Sequence, residues 1–174
     1  TTGAGAVDAA VAGDGTLAYV SGGGGVAGVR APRTLVWVDR QGHETPIPAP
    51  PRAYRYPRLS PEGTRVAVFA ADQELDLWLW DLARTTLTRV TFDPGQDTYP
   101  VWTPDGRRLL FSSERAGKWN LFWQAADGTG AVERLTESPN QQLATAVSPN
   151  GRRLIFTETA PKTGADVMQV EVDG

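Results

Sequence analysis

The stretch YPVWTPDGRRLLFSSE, Tyr99 to Glu114, sets two short apolar runs on either side of Thr-Pro-Asp-Gly. Pro presets φ for the first central residue of a tight turn, and Gly accepts the positive φ that lets a chain reverse into a hairpin. The segment therefore reads as strand, turn, strand. It also recurs: Ser60-Pro61-Glu62-Gly63 stands 43 residues before Thr103-Pro104-Asp105-Gly106, and Ser148-Pro149-Asn150-Gly151 stands 45 residues after it. Gly13-Asp14-Gly15 is a weaker copy, its second Gly lying 48 residues before Gly63. At these positions the Asp, Glu or Asn reads as a turn former rather than a catalyst.

Working outward from each turn, the flanks repeat too. TLAYVS, RVAVFA, RLLFSS and RLIFTE follow the turns as β-branched or aromatic runs of strand length. After a polar loop comes a second alternating run, TLVWVD, DLWLWD, NLFWQA or DVMQVE, then a shorter third one, LTRVTF or VERLTE. Each unit thus holds four short strands, A to D, with A leading into the turn. Periods of about 40 to 50 residues mark propellers or solenoids, and nothing in the chain carries a helical 3.6-residue pattern. The expectation is an all-β, propeller-like segment of about four blades, each a four-stranded antiparallel sheet, over 8–50, 55–94, 98–138 and 143–174. The fourth unit has Ala144-Thr145 where the second and third have Tyr56-Pro57 and Tyr99-Pro100, and it lacks a strand D. Ring closure therefore calls for more blades in a longer protein or for a second copy meeting this one edge to edge, since an open sheet edge is a liability.

Length and composition bound the partners. The 174 residues suit one ordinary core, hence one domain. With 17 Lys and Arg against 20 Asp and Glu, the net charge of −3 lacks the basic excess that nucleic acid or anionic lipid demands. No run approaches the ~20 apolar residues of a membrane span, and the opening TTGAGAVDAA has neither Met nor a signal-type apolar core, as expected of a mature form or an excised piece. The absence of Cys excludes disulfides, thiolate nucleophiles and Cys metal sites while leaving the compartment open.

The pattern Y-P-x-[LW]-[ST]-P-[DE]-G-x-R-[VL], followed by L-x-[VF]-x-[DA] and R-[VL]-T, resembles the WD40-like (PD40) repeats of TolB-type β-propellers. In particular GTLAYVSGGG, TLVWVDRQG, YPRLSPEGTRVA and LTRVTFDPG look like the propeller that bacterial eukaryotic-like serine/threonine kinases carry beyond their membrane segment. The resemblance implies an extracytoplasmic sensor or interaction domain for a protein, peptide or glycan, without a cofactor. The kinase itself is not in this chain, which has no HRD, DFG or paired strand Lys.

In such a blade the A-to-B and C-to-D turns lie on one face of the disc and the long loops on the other, where recognition usually sits. Arg55, Tyr56, Asp97 and Tyr99 precede strand A in their units and would line the mouth of an axial channel; alternatively the tyrosines pack on neighbouring prolines and the charges are solvated. Trp119, beside Lys118 and near Arg115, is either an interface aromatic or tucked against its own blade. Trp37, Leu79 and Trp123 share one repeat column and read as inter-blade core, with Trp78 and Trp80 on the opposite side.

Chemistry is harder to build. Gly23 to Gly28 spells G-x-G-x-x-G, but Pro32 and another strand follow where a dinucleotide site needs a helix. The sole His, His43, sits in a turn and cannot hold zinc without Cys partners. G-x-S-x-G does not occur, so a serine hydrolase lacks its nucleophile. A glycosidase is the enzymatic rival, because paired carboxylates ~5 to 9.5 Å apart suffice for acid/base work. Asp97 and Glu114 are the candidates, with Glu74 and Asp76 on the same face; Asp76 also recurs as Asn120 and Asp166, as a blade-capping residue would.

Overall fold

The computed structural model describes residues 9–11, 17–21, 31–72 and 74–172. Among them there is no helix. Fifteen strands form four antiparallel sheets. The first comprises β1 (Ala9–Val11), β2 (Leu17–Ser21), β3 (Thr34–Val38) and β4 (Glu44–Pro46). The second comprises β5 (Tyr54–Leu59), β6 (Arg65–Ala71), β7 (Leu75–Asp81) and β8 (Thr86–Arg89). The third comprises β9 (Asp97–Trp102), β10 (Arg108–Ser113), β11 (Asn120–Ala125) and β12 (Glu133–Arg134). The fourth has three strands, β13 (Gln141–Val147), β14 (Arg153–Ala160) and β15 (Gly164–Glu171). Each sheet is a meander in chain order. The innermost strands neighbour one another from sheet to sheet, β1 with β5, β5 with β9 and β9 with β13, as blades around an axis require. The all-β propeller segment with an incomplete last blade is therefore the observed architecture. The glycine-rich run Gly23 to Gly28 and residues 1–8 lie outside the described residues.

The repeated turns close as their composition dictates. Gly63, Gly106 and Gly151 donate their N–H groups to the carbonyls of Ser60, Thr103 and Ser148 at 2.8, 2.9 and 2.8 Å, and their φ values are 72°, 67° and 75°. The Ser or Thr side chain then bridges to the returning strand: Arg65, Arg108 and Arg153 donate their N–H to Ser60 Oγ, Thr103 Oγ1 and Ser148 Oγ at 3.0, 3.0 and 2.9 Å. Asp105 and Asn150 each accept from that hydroxyl and from a backbone N–H, which fixes their role as turn formers.

Strand alternation puts one row of side chains toward the next sheet and the other toward the previous one. Leu35, Leu77 and Leu121 have no exposed surface, and Trp37, Leu79 and Trp123 sit two residues further along on the same side. These rows build three successive interfaces. Leu35 and Trp37 pack with Tyr54, Val66, Val68 and Trp80 between the first and second sheets. Leu77 and Leu79 pack with Trp102, Leu109, Phe111 and Phe122 between the second and third. Leu121 and Trp123 pack with Ala144, Leu154 and Phe156 between the third and fourth. Each fully buried Leu stabilises by about 1.5–3 kcal/mol, and Trp78 joins Trp80 on the side facing the first sheet. Val167, in the column of those leucines, is 79% exposed because no further sheet covers β15 among the described residues.

A polar device binds the outer strand to the second and third sheets. Asp76, at the start of β7, accepts from Arg89 Nη2 at 2.5 Å and from Thr91 Oγ1 at 2.9 Å. In the third sheet Asn120 takes the place of Asp76, Arg134 donates to its Oδ1, and the Leu121 N–H donates to Thr136 Oγ1 at 3.1 Å. Thus the recurring Arg-[Val/Leu]-Thr reads as a side-chain staple between the third and fourth strands. Asp166, the counterpart in the three-stranded sheet, is exposed and bonded to its own turn through Thr163.

Candidate functional site

At the loop end of the inner strands, the Tyr-Pro pairs distort the ladder. Pro offers no N–H to the neighbouring strand, and the register slips between Arg55 and Arg58 on β5 and opposite Phe111 on β9. Tyr56 and Tyr99 adopt φ of 51° and 54°. A bulky residue in this left-handed region costs about 1–3 kcal/mol, so the surroundings must hold it there. They do so by stacking: the two rings lie 4.2 Å apart at 22°, and their hydroxyls meet at 3.1 Å. Phe69 backs Tyr56 at 6.4 Å. In the fourth sheet the slip between Ala144 and Ala146 persists, but without a Tyr and without positive φ.

This aromatic pair floors a recess of about 190 Å³ lined by Arg55, Tyr56, Phe69, Gln96, Thr98, Tyr99, Trp119, Gln141 and Leu143. Four of the residues singled out from sequence, Arg55, Tyr56, Tyr99 and Trp119, therefore meet in one place. The backbone of Trp119 is pinned between sheets, its carbonyl accepting from Gln142 N–H and Asn120 Nδ2, both at 2.9 Å. Thr98 is 2% exposed, and its Oγ1 has no hydrogen-bond partner among the described residues. Sequence reasoning did not pick out Phe69, Gln96, Thr98, Gln141 or Leu143. The repeat held a signal for the two glutamines, which occupy equivalent positions, Gln96 just before β9 and Gln141 at the start of β13.

Asp97 and Arg115 are placed differently. Asp97 has no exposed surface and turns inward, where Arg115 Nη2 donates to its Oδ2 at 2.7 Å. Arg115 also bonds Ser113 Oγ at 2.9 Å and lies over Phe111 and Phe122 at 5.5 and 5.2 Å. Burial pushes the Asp97 carboxyl above the usual carboxylate range, opposed by Ser113 and by the Arg115 guanidinium. Neither residue lines the recess. Of the other candidate acids, Glu74 lies between Arg52 and Arg89 at 3.3 and 3.8 Å, Asp76 is stapled as above, and Glu114 is exposed. Desolvation raises the Asp76 carboxyl too, against the pull of Thr91 and Arg89. No carboxylate faces the recess, and among the described residues no group of three or more metal-ligating side chains is assembled.

Comparison with known proteins agrees with the propeller fold. The chain is 40% identical over 47 residues to the Tol-Pal system protein TolB of Bordetella pertussis, a match covering 27% of this chain and 11% of that one. A TolB structure from Agrobacterium tumefaciens superposes with a TM-score of 0.78 at 21% identity, covering 95% of this chain and 61% of the other. The crystal structure of TolB from Acinetobacter baumannii gives 0.77 at 23% identity, covering 95% and 41%. The chain thus spans a part of these relatives, and at such identities the structural likeness speaks for the fold alone. The model of the TolB beta propeller domain matches residues 38–174, and on that match the chain belongs to the TolB-type β-propeller (PD40) family.

Proposed function

We propose that this chain is a non-catalytic binding module whose loop face receives a side chain of a protein or peptide partner in the Tyr56/Tyr99/Trp119 recess. The observation that carries the reading is the recess's composition: aromatic rings, amides, three hydroxyls and one guanidinium, with no carboxylate among the described lining residues to donate or accept a proton in catalysis. Its size points the same way. About 190 Å³ falls below the ~300–1,000 Å³ of small-molecule sites but suits a single anchoring side chain. The unpartnered Thr98 hydroxyl and the two glutamines supply polar readout around that anchor. A glycan stacking on Trp119 is the alternative ligand class. The resemblance to TolB and to kinase-borne propellers supports an extracytoplasmic setting, with further blades or a second copy completing the ring.

The test is peptide display on the immobilised chain, followed by calorimetry with the selected peptides. Trp119→Ala and Gln141→Ala should each weaken binding by tenfold or more while the melting transition stays in place. Selected peptides that bind both variants as they bind the parent would refute the site. Hydrolysis of chromogenic glycosides that disappears in Glu114→Gln would replace the binding module with the glycosidase reading.

A further inference from the structure

We propose a second binding site on the opposite face of the disc, a carboxylate-recognising cavity between the third and fourth sheets that takes an acidic peptide segment. β9 runs from the recess described above to the Thr103 turn, so the two sites lie at opposite ends of the same strand. The cavity measures about 560 Å³ and is lined by Arg107, Arg108, Arg152, Trp123, Pro104 and Val172, among others.

Its charge is unbalanced. Arg107, Arg108 and Arg152 make no ion pair among the described residues, in a chain whose net charge is −3. Among the described residues the one acid in the lining, Asp105, is taken up by its own turn, where Thr103 Oγ1 and Arg107 N–H donate to it at 2.6 and 3.0 Å. These bonds hold the Asp105 carboxyl below its usual range.

The internal repeat provides a control. The corresponding cavity between the second and third sheets, about 250 Å³, is lined by Arg65, Arg84 and Arg89 but also by Asp81 and Asp127. There each arginine has an acidic partner: Arg65 with Glu62 at 2.8 Å, Arg84 with Asp81 at 3.6 Å and Arg89 with Asp76 at 2.5 Å. The third sheet lacks both contacts. The counterpart of Glu62 is Asp105, which bonds its own turn and not Arg108, and across the strands Arg65 stands opposite Asp81 whereas Arg108 stands opposite Ala125.

The turns offer no backbone nest for phosphate. A phosphate nest needs free backbone N–H groups, but here Gly106, Arg107, Arg108, Gly151, Arg152 and Arg153 all spend theirs inside the turns. What remains is guanidinium forks, which pair bidentately with carboxylate and phosphate alike, so the apolar wall and the size of the cavity are what favour the side chains of an acidic peptide. Arg108 is held ready for this by Trp123, its guanidinium 3.9 Å above the ring, and the indole Nε1–H is itself anchored to Glu133 at 2.9 Å. Pro104 and Val172 offer apolar wall for the aliphatic part of Asp or Glu side chains. At 560 Å³ the space holds a few residues rather than one.

The experiment titrates fluorescein-labelled hexaglutamate into the protein, with hexaglutamine and inorganic phosphate as controls. Saturable binding at low salt, lost at about 0.5 M where the Debye length falls to a few Å, is expected for hexaglutamate alone. Arg108→Ala and Ala125→Asp should each weaken it at least tenfold, the latter by restoring the acid that the second sheet has at Asp81. Arg152→Glu, an exposed charge reversal that leaves the core intact, serves if either variant unfolds. Arg153→Ala, outside the cavity lining, should leave binding unchanged. The proposal fails if hexaglutamate does not bind saturably, if Ala125→Asp or Arg152→Glu binds as the parent does, or if phosphate displaces the peptide at equal concentration.

Discussion

Arg115 is the residue whose removal tests most directly whether Asp97 is structural. In Arg115→Ala the carboxylate of Asp97, with no exposed surface, loses the guanidinium 2.7 Å away. Breaking a buried pair by deleting one partner costs about 3–5 kcal/mol, because the surviving charge stays desolvated. A neutralising second change should then recover much of the loss, so Arg115→Ala/Asp97→Asn should be more stable than Arg115→Ala. The pH dependence carries a definite sign. Asp97 already has a folded-state pKa above its unfolded value of 3.8, so its ionisation opposes folding above that range and the opposition vanishes once the group is protonated. Losing Arg115 raises the folded value further, because its guanidinium is one of the groups that offset the burial of the carboxylate. Urea unfolding followed by Trp fluorescence at pH 7 and pH 5 measures both terms. The penalty should be large at pH 7 and clearly smaller at pH 5. A cost below about 1 kcal/mol at pH 7, or one that does not change with pH, would refute the buried-pair reasoning and reopen Asp97 to another role.

Three further outcomes follow from the same coordinates. Gly106→Ala should destabilise by about 1–2 kcal/mol for positive φ, plus the cost of moving Glu62, whose Oε2 lies 2.6 Å from the added Cβ; Gly63→Ala, with nothing within 4 Å, should show the first cost alone in a thermal melt. Leu121→Ala should lose about 2–5 kcal/mol in denaturant titration, since Leu121 is fully buried between the third and fourth sheets. Glu158, whose carboxyl Asn140 and Gln142 hold below its usual 4.5, stabilises above that value and loses the contribution as pH falls through its folded value. Glu158→Gln should therefore be less stable at pH 7, by under about 1 kcal/mol, and converge with the parent in acid unfolding.

Much of the binding recess was legible in sequence, and the reason is the repeat. Tyr56 and Tyr99 recur 43 residues apart just ahead of two turns, so they had to occupy like places around one axis. Phe69 escaped notice because it is a core residue of β6 that happens to end beneath Tyr56. Asp97 shows the converse: its place ahead of the Tyr-Pro pair suggested a channel mouth, but as the first residue of β9 it turns its carboxyl inward to meet Arg115, 18 residues on.

The sequence by itself determined the turns, the strands and their order. Pro angles, glycine φ and side-chain alternation act within a few residues, and four in-register copies make a weak local signal loud. The tertiary structure alone decided which charges meet. Asp81 stands across the strand from Arg65 but Ala125 across from Arg108, and Arg115 neutralises Asp97 while Arg107 and Arg152 make no ion pair among the described residues. Those outcomes depend on register across strands and on distances between sheets, which hydrophobic packing fixes and which no local propensity encodes.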